Sequence, residues 1–289
     1  LKKPPWLKKR IPPFQDLQKV KSILDDTNLH TVCQEARCPN LGECFARGTA
    51  TFLILGRRCT RNCGFCAVEH GTPAPPDETE PERVARAVKK MDLQYVVITS
   101  VTRDDLPDGG AFFFAKTIQT IRALTPKIKI EVLVPDFKGD LNSLKAVLNE
   151  YPEVLNHNME TTLRLYPEVR PLADYRRSLL LLKRAKQDFP HVSTKSGFML
   201  GLGETQEEVL GLLRDLRGVG CDFLTIGQYL QPRQDRLSVV RFIPPEELEK
   251  YKKIGEGMGF KSVASGPFVR SSFHAAEMFG DTNIEPSII

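Results

Sequence analysis

Cys59, Cys63 and Cys66 stand at C-x3-C-x2-C spacing within RRCTRNCGFC. Thiolates this close together suit zinc or an iron–sulfur cluster, both of which take soft ligands. A structural zinc ion closes with four protein ligands, and here His70 is the only local candidate for a fourth. A [4Fe–4S] cube also normally takes four thiolates, so three leave one iron open to chelate a small molecule. A second trio, Cys33, Cys38 and Cys44, has C-x4-C-x5-C spacing within CQEARCPNLGECF. Alone it is ambiguous between zinc, an iron–sulfur cluster and unrelated buried thiols. Six of the seven cysteines therefore fall between positions 33 and 66. In a long chain this crowding does not suggest a disulfide framework, which belongs to short secreted domains. Cys221 stands apart, and a small buried residue is its expected role.

The elements that must position these thiols follow from hydrophobic periodicity. Short β-branched or aromatic runs occur at 51–55, 95–101, 128–134, 153–157, 192–200 and 222–230. Between them apolar residues recur at helical spacing, as in Val84, Ala87, Val88, Met91 and in Val209, Leu212, Leu213, Leu216. Thr79 with Glu82 and Thr205 with Glu208 have the spacing of capping boxes. Further helices are expected near 17–24, 112–124, 140–149, 173–188 and 246–258. Six strands alternating with helices imply parallel pairing and right-handed crossovers. A cysteine loop, not a Gly-rich dinucleotide fingerprint, follows the first strand. The expected fold is therefore α/β, a partial (β/α)6 TIM-like barrel over 49–259, with an N-terminal extension over 1–48 and a C-terminal one over 260–289. Barrels of this kind carry chemistry on the loops after their strands, where the Cys59 loop falls.

Composition narrows the function classes. The chain has 289 residues, 41% hydrophobic and 27% charged, enough apolar material for a sizeable core. A net charge of +5 is too mild to argue for nucleic acid. Part of that charge is local: Lys2, Lys3, Lys8, Lys9 and Arg10 crowd an arm that also holds Pro4, Pro5, Pro12 and Pro13. Such an arm is either solvated or touches an acidic protein partner. No segment has the length of a membrane span or the apolar run of a secretory signal. A cytoplasmic, bacterial location is expected, or an organellar one if an upstream transit peptide has been removed.

The Cys59/Cys63/Cys66 motif, with Phe65 before its last cysteine, is similar to the signature of the radical S-adenosylmethionine (SAM) enzymes. With the second trio included, nearly the whole chain resembles the lipoyl synthase family. The matching pieces are CQEARCPNLGEC, RRCTRNCGFCAV, SVTRDDLPDGGA, VPDFKGD, NHNMET and GPFVRSSFHA, between roughly residues 4 and 275. The resemblance implies two [4Fe–4S] clusters and SAM as cofactors. The Cys59/Cys63/Cys66 cluster would cleave SAM reductively. The cluster on Cys33, Cys38 and Cys44 would be the sulfur source, with a fourth ligand from the RSSFHA motif. That ligand is placed on Ser272, with Ser271 as runner-up. Phe273 departs from the family's commoner Tyr, and without the resemblance both serines would read as a turn or cap.

The same resemblance implies the remaining roles. Asp108, Gly109 and Gly110 would hold the methionyl amine, and Asn158 and Glu160 the ribose hydroxyls. Arg176 would pair with the methionyl carboxylate. Met199, in the stretch from Gly197 through Gly201 to Glu204, would contact adenine. Arg103, Asp104 and Asp105 would meet the substrate lysine segment. The implied reaction inserts sulfur at carbons 6 and 8 of an octanoyl group on a lysine of a lipoyl carrier domain. Implied partners are the lipoyl domain of 2-oxoacid dehydrogenase E2 subunits, the glycine cleavage H protein, a flavodoxin or ferredoxin reductant and an iron–sulfur carrier. No nucleic acid or membrane is expected, and a monomer is. Rival readings are a biotin-synthase-like or tRNA methylthiotransferase-like enzyme, or a non-catalytic iron–sulfur or zinc protein.

Overall fold

The computed structural model describes residues 2–8, 14–47 and 50–280. Lys9, Arg10, Pro12 and Pro13 of the basic arm lie outside the described residues, as do 48, 49 and 281–289. In chain order the strands are β1 (His30–Thr31), β2 (Thr51–Ile54), β3 (Arg58–Cys59), β4 (Glu69–His70), β5 (Tyr95–Ser100), β6 (Lys129–Leu133), β7 (Val154–Asn156), β8 (Ser193–Leu200), β9 (Phe223–Gln228) and β10 (Ser262–Gly266). The helices are α1 (Phe14–Asp26), α2 (Val32–Glu35), α3 (Leu41–Ala46), α4 (Glu80–Lys90), α5 (Ala111–Leu124), α6 (Leu141–Leu148), α7 (Tyr166–Val169), α8 (Tyr175–Asp188), α9 (Gln206–Gly218), α10 (Pro245–Gly257) and α11 (Ala275–Phe279). Among the described residues no helix is long and apolar enough to cross a membrane.

One open sheet runs β1-β2-β5-β6-β7-β8-β9-β10, and every pairing from β2 onward is parallel. All six expected strands are present in their expected order. Parallel strands covered on both faces are continuously apolar, and Thr51–Ile54 is buried at every position. Phe52, Ile98, Ile130 and Leu155 share one apolar cluster with Val84, Val88, Phe114 and Ile118 of the helix layer. Phe198, Leu224 and Ile226 do the same with Val209, Leu212 and Leu216. Alternate residues of a strand face opposite sides. Tyr95 and Val97 accordingly pack on the other face, against Ala275 and Phe279 of α11. That face also holds a buried polar knot. The Glu131 carboxylate accepts from Lys195 Nζ at 3.1 Å and from Tyr95 Oη and Asn156 Nδ2 at 2.8 Å each.

Two strands extend the expected six. His30–Thr31 pairs antiparallel with β2, and Ser262–Gly266 pairs parallel with β9 in register Ser262↔Phe223 to Gly266↔Gly227. The C-terminal segment expected from 260 onward thus begins by adding β10 to the sheet. The C-terminal segment completes the sheet before it leaves the barrel. SVASG escaped notice because only Val263 of that strand is buried, and its small residues carry little apolar periodicity.

The two capping boxes part ways. At α9 the box is complete, with Thr205 Oγ1 accepting from Glu208 N and the Glu208 carboxylate from Thr205 N. At α4 it is absent. Thr79 is itself helical (φ −88°, ψ −9°) and its hydroxyl donates to Asp77 Oδ1 instead. Glu80, the buried acid beside it, accepts from Leu55 N at 2.7 Å, tying α4 to the end of β2.

Candidate functional site

Loops at the C-terminal ends of the parallel strands, together with both terminal segments, enclose a cavity of about 490 Å3. It is lined by all six clustered cysteines, by Ser271 and Ser272, and by Phe65, Asn158, Glu160 and Met199. Cys33 and Cys38 are 26 and 21 residues before Cys59, and the serines come from the far end of the chain. The fold brings the three segments to one space.

The Cys59 loop is tied to the barrel by its own hydrogen bonds. Cys59 Sγ accepts from Arg61 N at 3.4 Å and Thr102 N at 3.3 Å, so the loop sits on the end of β5. Thr60 reinforces this, bonding Thr102 O through both its N–H and its hydroxyl. Between the cysteines, Arg61 is buried and turned away from the cavity. Its guanidinium donates to both oxygens of Asp104, at 2.7 and 2.9 Å, and to both oxygens of Asp136, at 3.1 and 2.6 Å. Asp136 is fully buried. Burial alone would raise its pKa, but bonds and charge from Arg61 outweigh that and hold it down at about 2. Arg177 adds a contact to Asp136 at 3.3 Å. On the opposite side Gly64 N donates to Val169 O, and Leu237 N to Gly64 O. A Cβ on Gly64 would stand 2.8 Å from Leu237 Cδ1, so the loop packs as closely as glycine allows.

Three of the thiols are poor anions in this environment. Burial pushes Cys66 up to about 12, Cys33 up to about 11, and Cys63 upward as well. Thiolates here need the charge of metal ions, which deprotonate a coordinating thiol outright. Among the described residues no three His, Cys, Asp or Glu side chains converge enough for a single metal ion. The donor chemistry, three soft thiols around a shared space twice over, fits the larger iron–sulfur cube.

The rest of the cavity is polar where a zwitterionic ligand needs it. Asn158 Nδ2 donates to Glu160 Oε1 at 2.9 Å, while Asn158 Oδ1 is buried without a protein partner. Burial raises the Glu160 pKa against the lowering charges of Arg170 and Arg270. Arg170 was not among the expected residues. It follows α7 and donates from Nη1 to Asn158 O at 2.8 Å and Tyr166 Oη at 2.7 Å, while its Nε is buried and unpartnered. Behind it Tyr166, Ser178 and His157 form a bonded chain that ends on Val134 O. Asn158 and Arg170, both lining the cavity, thus carry an unpartnered buried acceptor and donor. Phe65 and Met199 pack against the Leu165, Val169, Leu202 and Tyr229 cluster and supply an apolar wall.

Several expected contacts lie elsewhere. Asp108 lies in the turn that leads into α5: its carboxylate accepts from Gly110 N at 2.9 Å and Phe112 N at 2.7 Å. Gly109 and Gly110 have φ of +61° and +91°, and a Cβ on Gly110 would stand 2.3 Å from Leu55 Cδ1. None of the three is among the cavity-lining residues; they form the turn before α5, and Gly110 packs on Leu55 just past β2. Arg176 is exposed on α8, also away from the cavity. Arg103 is buried, bonded to both oxygens of Asp105 and to Leu55 O, and Asp104 is engaged by Arg61. Gly201 and Glu204 form a closed turn in which the carboxylate accepts from Gly201 N and Leu202 N. Of that stretch, Gly197, Phe198 and Met199 reach the cavity.

Comparison with known proteins gives the family and the fold. A family model described as the radical SAM superfamily matches residues 53–216, and one described as the N-terminal domain of lipoyl synthase matches residues 1–38. The chain is 56% identical over 275 residues to a lipoyl synthase of Caldanaerobacter subterraneus subsp. tengcongensis, covering 95% of this chain and 96% of that protein. It is 55% identical to a lipoyl synthase of Rubrobacter xylanophilus, covering 96% and 87% respectively. Among solved structures, Streptococcus suis SuiB bound to S-adenosylmethionine superposes with a TM-score of 0.57 at 14% identity, over 78% of this chain and 54% of that one. At that identity the likeness concerns the fold alone.

Proposed function

The chain belongs to the lipoyl synthase family of radical SAM enzymes, and from that premise we propose how its own residues divide the work. It is a sulfurtransferase; its substrate is an octanoyl group amide-linked to a lysine of a carrier domain. Cys59, Cys63 and Cys66 hold one [4Fe–4S] cluster. Cys33, Cys38 and Cys44, completed by Ser272, hold the other. When bound, the first cluster supplies the electron that cleaves SAM, and the second supplies the sulfur that replaces hydrogen at carbons 6 and 8.

The protein's part is positional. Arg61 and Thr60 present the first trio before any iron arrives. Arg170, Asn158 and Glu160 offer a cation, a carbonyl oxygen and a carboxylate to the polar ends of SAM, and Phe65 and Met199 flank its rings. The apolar walls keep water from the reacting carbon. A serine alkoxide is a harder ligand than thiolate and easier to displace, which suits a cluster consumed as a donor. Lys3 also lines the cavity, so the basic arm stands where a carrier domain must approach. An acidic lipoyl carrier, such as an E2 lipoyl domain or H protein, fits that charge, with a flavodoxin or ferredoxin as reductant.

The carrying observation is that both cysteine trios and the serine pair face a single cavity. The test is anaerobic turnover with an octanoyl-lysyl carrier peptide, read by product mass. Cys59→Ala, Cys63→Ala or Cys66→Ala abolishes SAM cleavage. Cys33→Ala, Cys38→Ala or Cys44→Ala leaves cleavage but no sulfur insertion. Lipoyl product from any of the second group refutes the donor assignment.

A further inference from the structure

Serine is a weak ligand to iron, so whatever holds Ser272 over the second trio must come from the protein. The turn that carries it is tied to the cysteine segment on both sides. Ahead of it, Asn40, which lies between Cys38 and Cys44 and is 1% exposed, donates from Nδ2 to Phe268 O at 2.7 Å. Behind it, Arg47 Nη1 meets His274 Nε2 at 3.1 Å and approaches Glu277 at 3.7 Å. Glu43, one residue before Cys44, lies 3.5 Å from the same His274 nitrogen, and His274 Nδ1 pairs with Glu277 at 2.6 Å. His274 is held at φ +54°, a left-handed conformation that costs a non-glycine residue energy unless its surroundings impose it. Beneath the turn, a Cβ on Gly227 would stand 2.3 Å from Val269 O, so β9 is its floor.

We propose that Asn40 and the Glu43–Arg47–His274–Glu277 latch are positioning residues that bracket the Ser271–Ser272 turn and hold it against the second trio before any cluster forms. The two brackets join the helix that carries Cys44 and the loop before it to segments more than 200 residues away. The exposed latch is individually weak, as partly solvated ion pairs are. The buried Asn40 bond supplies the firmer end. Together they make the fourth ligand intramolecular, at high effective concentration, so serine competes successfully with water for an iron. This inference rests on the proposed ligand role of Ser272, and its test separates the two.

The first arm uses cluster-free protein and amide hydrogen exchange. In the Asn40→Ala/Arg47→Ala double variant, exchange across 268–274 rises roughly tenfold or more, while 222–228 on β9 keeps its rate. Asn40→Ala/Arg47→Lys, which restores a cation to the latch, recovers part of the protection. The second arm loads the same variants anaerobically and compares the second cluster's Mössbauer spectrum, with the first trio replaced by alanine, against Ser272→Ala. The bracketed arrangement predicts that the double variant takes on the Ser272→Ala spectrum. Unchanged exchange in the double variant overturns the bracket. If exchange rises but Ser272→Ala leaves the spectrum as in the parent, the bracket stands and the ligand role of Ser272 fails.

Discussion

Replacing Arg61 with methionine removes the guanidinium that joins the cysteine loop to the ends of β5 and β6. Its partner Asp136 has no exposed side-chain surface, and both of its oxygens bond to Arg61. Removing one member of a buried pair typically costs about 3–5 kcal/mol, because the other charge stays buried. Here the cost lies near the low end, about 3 kcal/mol, since Arg177 at 3.3 Å and Lys138 N at 3.1 Å still reach Asp136. The Asp104 half of the clamp is more exposed and adds less. Urea unfolding of the cluster-free protein at neutral pH measures this, with Asp136→Asn and the Arg61→Met/Asp136→Asn double variant completing a cycle. A coupling of roughly 2 kcal/mol or more is expected between the two positions. Arg61→Lys keeps the charge but not the fork, and falls between parent and methionine. Iron uptake at the first trio should fall with loop order, and most in the methionine variant. A coupling below about 0.5 kcal/mol, or a methionine variant as stable as the parent, refutes the clamp.

Other consequences are as specific. His157 is buried, and burial, followed by the Arg170 charge, lowers its pKa to about 4. A histidine kept neutral in the fold contributes stability above its ordinary pKa of about 6.5. About 3 kcal/mol should be lost as pH falls from there to 4, and urea midpoints of His157→Gln should lack that slope. Reversing the exposed arm charges in Lys2→Glu/Lys8→Glu should lower kcat/KM for an intact carrier domain by roughly tenfold at low salt. A short octanoyl-lysyl peptide should be unaffected, and equal loss on both substrates would remove the arm from docking. Gly227→Ala should push Val269 and the serine turn off β9. Raised hydrogen exchange at 268–274 with an intact barrel would show it, whereas an unshifted turn would refute the packing.

The cysteine spacings were legible because ligand type and local spacing are properties of the chain itself. So were the six barrel strands, whose buried runs are continuous in sequence. The residues that failed to appear depend on long-range partners. Arg61 sits in plain view between Cys59 and Cys63, but its partners are Asp104 and Asp136, 43 and 75 residues onward. Nothing local separates it from a solvated loop arginine. Arg170 and Arg176 illustrate the same point. Both are arginines near α7 and α8, and only the turn after Val169 aims the first at Asn158. Asp108–Gly110 shows the limit of a local pattern, because one D-G-G serves equally as a ligand edge or as a helix start, and here it forms the turn before α5. The Thr79 box failed because Asp77 competes for the same hydroxyl.

Iron and acid-labile sulfide per chain, measured after anaerobic reconstitution, test the two-cluster arrangement most directly. About eight of each are expected for the parent protein. About four should remain in the Cys33→Ala/Cys38→Ala/Cys44→Ala variant, with SAM cleavage retained. Four in the parent, or the same content in parent and triple variant, would contradict it.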